Sequence, residues 1–255
     1  MIRAFAIFML TATSALAQTP PESLVAGLSE SSVAITADFI GSEILIYGAV
    51  KRESPPPQGS ALHVIITVEG PPVEAVVRRK SRQYGIWMNT AEVTVDRAPS
   101  FYAIASTAPL QDILSATEDL RHKISIPRAI RAVGISTATE GPAPFVEALV
   151  RLRQSGGSYQ TRESAVALTE ATLFRTDVAL PSNLTEGDYR VRMFLTRDGK
   201  VVDTLERGIQ VRKSGIERLL FRMAHDQPLI YGLLSLAIAA SAGWAASAAF
   251  RLMRA

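Results

Sequence analysis

The chain has 255 residues, no cysteine, and 27 basic against 24 acidic side chains, a formal net charge of +3. Without cysteine there are no disulfide staples and no thiolate metal sites, and 255 residues are enough to bury a core without either. Arg3, Arg251 and Arg254 account for the excess, leaving 24 basic (27 − 3) and 24 acidic residues between Gln18 and Gln227; that balance gives no electrostatic case for nucleic acid, which demands a concentrated basic surface.

Residues 1–17 read as a secretory signal peptide. Arg3 supplies the charge, Ala4 to Leu10 the apolar stretch, and Ala15-Leu16-Ala17 an A-x-A site before Gln18. The competing reading is an uncleaved anchor, for which the apolar stretch is short.

From residue 18 to 107 the pattern is that of short alternating strands. Ser42 to Val50, Ala61 to Val68, Val73 to Arg79, Gly85 to Asn89, Glu92 to Val95 and Phe101 to Ala105 are rich in Val, Ile, Thr and aromatics. Turn chemistry separates them: Pro55-Pro56-Pro57, Gly70-Pro71-Pro72 and Ala98-Pro99. An antiparallel β-sandwich-like domain is expected here, with Ile44, Ile46, Ile66 and Val68 buried by alternation. Trp87 is expected in the core.

Residues 108–213 read as a second β-rich unit with helical segments. Ile113, Leu114, Leu120 and Ile124 have rough helical spacing. Phe145, Leu149 and Leu152 fit one face of a helix that begins near Pro144 and ends at Ser155-Gly156-Gly157. Strand alternation returns over Ala171 to Leu180 and Asp188 to Thr196, and Asp198-Gly199 predicts a hairpin into Lys200 to Leu205, with Ile209 to Arg212 closing the set. Asn183-Leu184-Thr185 matches a glycosylation acceptor and is read as a turn.

Residues 214–227 form an amphipathic juxtamembrane segment, either lying at the membrane interface or ending the soluble part. Residues 228–250 carry no charge. At 1.5 Å per residue such a run gives roughly 34 Å of helix, enough for a bilayer core of about 30 Å. A transmembrane helix is expected there, with a cytoplasmic tail over 251–255. Ser235, Ala239, Gly243 and Ser247 fall at four-residue intervals along one face, where small side chains permit close helix contact, although an alanine-rich helix also gives such strips by chance.

The chemistry-bearing residues are sparse. His63, His122 and His225 are scattered without metal-ligand spacing, and no G-x-S-x-G, H-E-x-x-H, P-loop or G-x-G-x-x-G occurs. The expectation is a protein that is not an enzyme and uses no metal or cofactor. The densest basic run, Arg78, Arg79, Lys80 and Arg82, precedes Tyr84 and Trp87. It is a candidate contact for an anion or a partner. The plainer and favoured reading is a charged hairpin edge that discourages strand pairing.

The segments Phe39 to Val50, Val77 to Lys80, Gly85 to Thr90 and Ala98 to Ala103, with Leu229-Ile230-Tyr231-Gly232-Leu233 and Gly243-Trp244 in the tail, resemble the alphaproteobacterial putative transmembrane protein family, whose function is uncharacterised. The resemblance implies a single-pass protein of the bacterial inner membrane, with its domain in the periplasm and its C-terminus in the cytoplasm. It also implies an association with a sulfite-exporter-type permease. The leading expectation is therefore a mainly β periplasmic domain that acts by protein–protein contact, with another membrane protein or with itself, as an accessory to a transporter. The alternative is a membrane-tethered module that binds a small anion or ligand.

Overall fold

The computed structural model describes residues 22–36, 39–52, 60–132, 141–213 and 223–253. The signal segment, the triple proline, most of the juxtamembrane segment and the last two residues lie outside the described residues. The strands are β1 (Glu22–Leu28), β2 (Ser32–Ile35), β3 (Ser42–Arg52), β4 (Leu62–Glu69), β5 (Pro72–Gln83), β6 (Ile86–Pro99) and β7 (Tyr102–Ser106). After them come β8 (Tyr159–Arg162), β9 (Ala167–Thr169), β10 (Leu173–Leu180), β11 (Gly187–Arg197) and β12 (Lys200–Lys213). Between β7 and β8 lie α1 (Leu110–Ile113), α2 (Ala116–His122), α3 (Ile126–Ala129) and α4 (Ala143–Ser155), and α5 (Pro228–Met253) closes the chain.

Two sheets face each other across one core. One has the order β1-β3-β10-β9, and the other β2-β12-β11-β4-β7-β8. Period-two alternation builds the interface. Ile44 and Ile46 of β3 point inward with Phe174 and Val178 of β10, and they meet Val64, Ile66 and Val68 of β4 and Val191, Met193 and Leu195 of β11. The pairings are antiparallel except at the two edges of the larger sheet, where β2 runs parallel to β12 and β8 parallel to β7. The expected antiparallel sandwich is thus found, with parallel strands closing its margins. Ile44, Ile46, Ile66 and Val68 are all buried.

The expected division at residue 107 does not separate two units. β3 pairs with β10, and β4 pairs with β11, so each sheet is built from strands of both stretches, 18–107 and 108–213. Alternation reveals which face of a strand is apolar but not which strand it pairs with, so interleaving leaves no mark on the sequence. Two further segments join into longer strands. Apart from Gly85, which belongs to the turn, the expected segments Gly85 to Asn89 and Glu92 to Val95 form the single strand β6, where Thr90 is the extra residue of a bulge, since Arg79 faces Ala91 and Lys80 faces Asn89. The hairpin at Asp198-Gly199 forms as expected, with φ of 50° and 74°.

The larger sheet is apolar on its outer face too. Ile65, Tyr102, Ile104 and Phe194 pack there under Ile113, Ile124 and Ile126 of the short helices. The β5–β6 hairpin leaves the sandwich and is held at its root by α4, whose Phe145 and Leu149 meet Val77, Val93 and Val95. Leu152, expected on the same face, is exposed. The apolar helix α5 contains a span, Pro228–Ser247, long and uncharged enough to cross a membrane, with none of it buried against the rest of the chain.

Candidate anion-binding site

The outer face of β4 and β11 carries polar groups at one end. Alternation places Tyr189, Val191 and Met193 inward, so Arg190 and Arg192 point outward with Phe194, and Glu69 of β4 stands opposite Arg190. Arg190 lies 2.7 Å from Glu69 and 3.9 Å from Glu206, and Arg192 is 3.9 Å from Glu69. Burial pulls the Arg190 pKa down, but the hydrogen bond and the charge of Glu69 outweigh it, and the net shift is upward.

The helices bring the rest. Ser115 caps α2 by accepting from the Glu118 amide at 3.3 Å, and Lys123 ends the helix in the left-handed region with φ of 52°. Arg192 donates to the freed carbonyls of His122 (2.7 Å) and Lys123 (3.2 Å), a cation at the negative end of a helix. It also donates to the Tyr102 hydroxyl at 3.2 Å, which in turn donates to the Ile124 carbonyl at 2.8 Å. The Tyr102 pKa is pushed up to about 12, chiefly by burial, with Arg192 opposing and Glu69 reinforcing the shift. Asp119 fixes the turn into α3 by accepting from the amides of Ile124 (3.1 Å) and Ser125 (2.7 Å).

The result is an open cleft of about 660 Å³ lined by seven cationic side chains and one carboxylate. Arg190 and Arg192 form the floor with Glu69. Arg121 and Lys123 come from the end of α2, Arg128 from α3, Arg97 from β6, and Arg131 from the segment after α3. The Nε of Arg192 is buried and finds no hydrogen-bond partner among the described residues. A sphere of that volume is about 11 Å across, close to the screening length of about 8 Å at physiological salt. An anion at the centre would lie within that length of every wall, so the cations act on it together and the cleft favours an anion. Arginine suits such a role because its planar guanidinium meets carboxylate, phosphate or sulfonate oxygens two at a time.

The residues singled out in the sequence lie elsewhere. Arg78 pairs with Glu92 at 3.1 Å, and the Arg79 guanidinium lies over the Phe145 ring at 5.8 Å. With Lys80 they line a smaller groove against α4, whereas Arg82 sits at the hairpin tip and reaches the Gly85 carbonyl at 3.4 Å. Trp87 is not a core residue: it is 69 % exposed on the distal hairpin, beyond the contacts with α4. Ser235, Ala239, Gly243 and Ser247 share an exposed face of α5. No group of three or more His, Asp or Glu side chains placed to hold a metal occurs among the described residues.

The cleft was missed because its cations are spread from residue 97 to residue 192. The one local signal was Arg190 and Arg192 alternating with buried apolar residues in β11, on the same face as Phe194.

No curated protein matches the chain. Among solved structures, the sporulation control protein Spo0M of Bacillus subtilis matches at 10% identity and a TM-score of 0.29, over 80% of this chain and 54% of that one. The chain thus spans about half the length of that protein, and a likeness of this degree carries no argument. The model of the family described as "Putative transmembrane protein (Alph_Pro_TM)" matches residues 23–252, from β1 to the end of the apolar helix, and the chain belongs to that family.

Proposed function

We propose that the protein is a single-pass membrane receptor for a small anion, which it binds in the basic cleft without catalysing a reaction. One observation carries the reading: seven cations converge on a space lined by a single carboxylate, in a region with equal numbers of basic and acidic residues overall. The ligand class is an oxyanion with more than one negative oxygen, since the guanidinium groups approach from several walls. The signal-type pattern of residues 1–17 supports placing the domain in the periplasm and the C-terminus in the cytoplasm of a bacterial inner membrane. A second reading, association with another membrane protein such as a permease, is supported by the small residues aligned on one exposed face of α5.

The test is thermal unfolding of the full chain in detergent micelles with pyrophosphate or sulfate, against chloride at matched ionic strength. Saturable stabilisation by the polyvalent anion is expected, and its loss in an Arg128→Ala, Arg131→Ala double variant. Equal unfolding temperatures in all salts would remove the anion reading.

A further inference from the structure

The β5–β6 hairpin projects a tip that its own domain does not use. Past Val77 and Ala91 both faces of the hairpin are largely open to solvent. Tyr84 is fully exposed, Ile86 61 % and Met88 44 %, alongside Trp87 at 69 %. Tyr84 and Gly85 make the turn with φ of 51° and 85°. Positive φ at both positions is what a two-residue hairpin turn requires, and it sets the fully exposed Tyr84 at the very tip.

The distribution of side chains distinguishes an end-on contact from a sheet-on-sheet one. Arg82 faces Trp87 and Lys80 faces Asn89, so these share one face; Ser81 faces Met88 and Gln83 faces Ile86 on the other. Beyond Val77, exposed apolar groups therefore occur on both faces, but only at the tip, from residue 84 to 88. Basic groups follow behind them as a collar: Arg78, Arg79, Lys80 and Arg82. Glu92 is the lone acid between Val77 and Val93, and it pairs with Arg78. Segregation along the hairpin axis, with a Tyr and a Trp ahead of a basic collar, matches the layering of a bilayer surface. Amphipathic rings settle at headgroup depth, and cations settle against anionic headgroups.

The chain's own tether brings this tip within reach of a membrane. Gly187, the first residue of β11, pairs with Val211 of β12, and a Cβ placed there would lie 2.8 Å from Pro71 Cγ at the hairpin root. The hairpin and the strand leading to α5 thus leave the sandwich at the same end. Residues 214–227 are fourteen residues and span at most roughly 50 Å. The twelve residues of β5 extend about 40 Å.

We propose that the tip of this hairpin is a membrane-docking element that enters the anionic headgroup layer of the bilayer holding α5. The inference rests on α5 as a membrane span and is independent of the anion cleft. Its test uses the full chain with Trp244→Phe, which leaves Trp87 as the sole tryptophan. The protein is incorporated in nanodiscs of phosphatidylcholine alone, or of equal parts phosphatidylcholine and phosphatidylglycerol. In the anionic discs Trp87 emission should shift to the blue, acrylamide quenching should fall, and bromine-labelled acyl chains should quench it. Lys80→Glu with Arg82→Glu should reverse all three, with the unfolding temperature unchanged because the tip lies outside the core. Unshifted emission and full acrylamide access in anionic discs would overturn the proposal. Shielding seen only after other membrane proteins are co-incorporated would overturn it in favour of a protein partner.

Discussion

Arg97 and Arg131 exchange two backbone hydrogen bonds, 3.2 Å from the Arg97 amide and 2.8 Å from the Arg131 amide. The exchange makes them a directly opposed antiparallel pair, so their side chains leave the same face at the mouth of the cleft. Like charges so placed repel, by roughly 0.2–1 kcal/mol. Asp96 offsets part of this at 3.8 Å from Arg131. A pair kept for packing alone would be better served by one neutral member. Arg97→Gln should therefore leave the unliganded protein as stable as wild type or slightly more so, while stabilisation by pyrophosphate falls. Thermal unfolding with and without the anion reads both. A loss of unliganded stability beyond about 1 kcal/mol would mean that the pair is structural.

Glu69 has the opposite balance. Its carboxylate is buried and answers Arg190 and Arg192. Glu69→Gln removes the one carboxylate that lines the cleft and leaves Arg190 and Arg192, neighbours on one face of β11, without the charge they share. The expected cost is about 1–3 kcal/mol, reduced from the buried-pair range because Arg190 is 41 % exposed. Anion affinity should rise at the same time. Calorimetry showing weaker pyrophosphate binding in this variant would count against the cleft as the site.

Tyr102 and Tyr159 should titrate late. Burial raises both to about 12. The folded chain thus keeps protons that the unfolded chain sheds near pH 10, so the unfolded state binds fewer protons in that window. Stability should be full below pH 10 and fall as pH rises from 10 to about 12. Tyrosinate absorbance followed alongside circular dichroism tests this: both tyrosines should ionise together with unfolding. Tyr102→Phe should soften the alkaline loss and also free Arg192 from one acceptor.

Gly48 sits where β3 passes closest to its neighbours. A Cβ there would lie 2.5 Å from both Phe174 Cζ and the Val25 carbonyl oxygen. The second contact is backbone and cannot yield, so β1 must shift. Gly48→Ala should destabilise the domain by about 1–3 kcal/mol, read as a lower denaturation midpoint. Gly208, with open space around the same position, should accept alanine at little cost.

In the membrane helix, Gly243→Leu should reduce association with itself or a partner without impairing insertion, since leucine is favourable in a bilayer and only the close backbone approach is lost. Leu236→Ile, off that face, is the matched control. Equal association of Gly243→Leu and wild type in a membrane assay removes the helix-contact reading.

What the sequence disclosed divides along physical lines. Alternation in β3 and β4 located Ile44, Ile46, Ile66 and Val68 because burial on one face of a strand repeats every two residues. The uncharged run of α5 was legible because membrane thickness fixes its length. Pairing was not legible, since β3 meets β10 across more than 100 residues and neither strand carries a mark of the other. Trp87 misled because size argues for burial, whereas a free-standing hairpin has no core to offer. The cleft stayed hidden for a related reason: Arg97, Arg128 and Arg192 become neighbours only once β6, α3 and β11 are assembled.

The parallel strand β2 has a mechanical consequence. It pairs Ser32–Ile35 with Gln210–Lys213, the last four residues of β12, while β11 holds the same strand from the other side up to Val211. Tension drawn through Lys213 runs along β12, across its hydrogen bonds rather than in line with them. The bonds on both flanks must then give way together instead of opening one after another, as they would in a strand peeled from an edge. Thermal jostling of the anchored helix is thereby spread over the whole larger sheet.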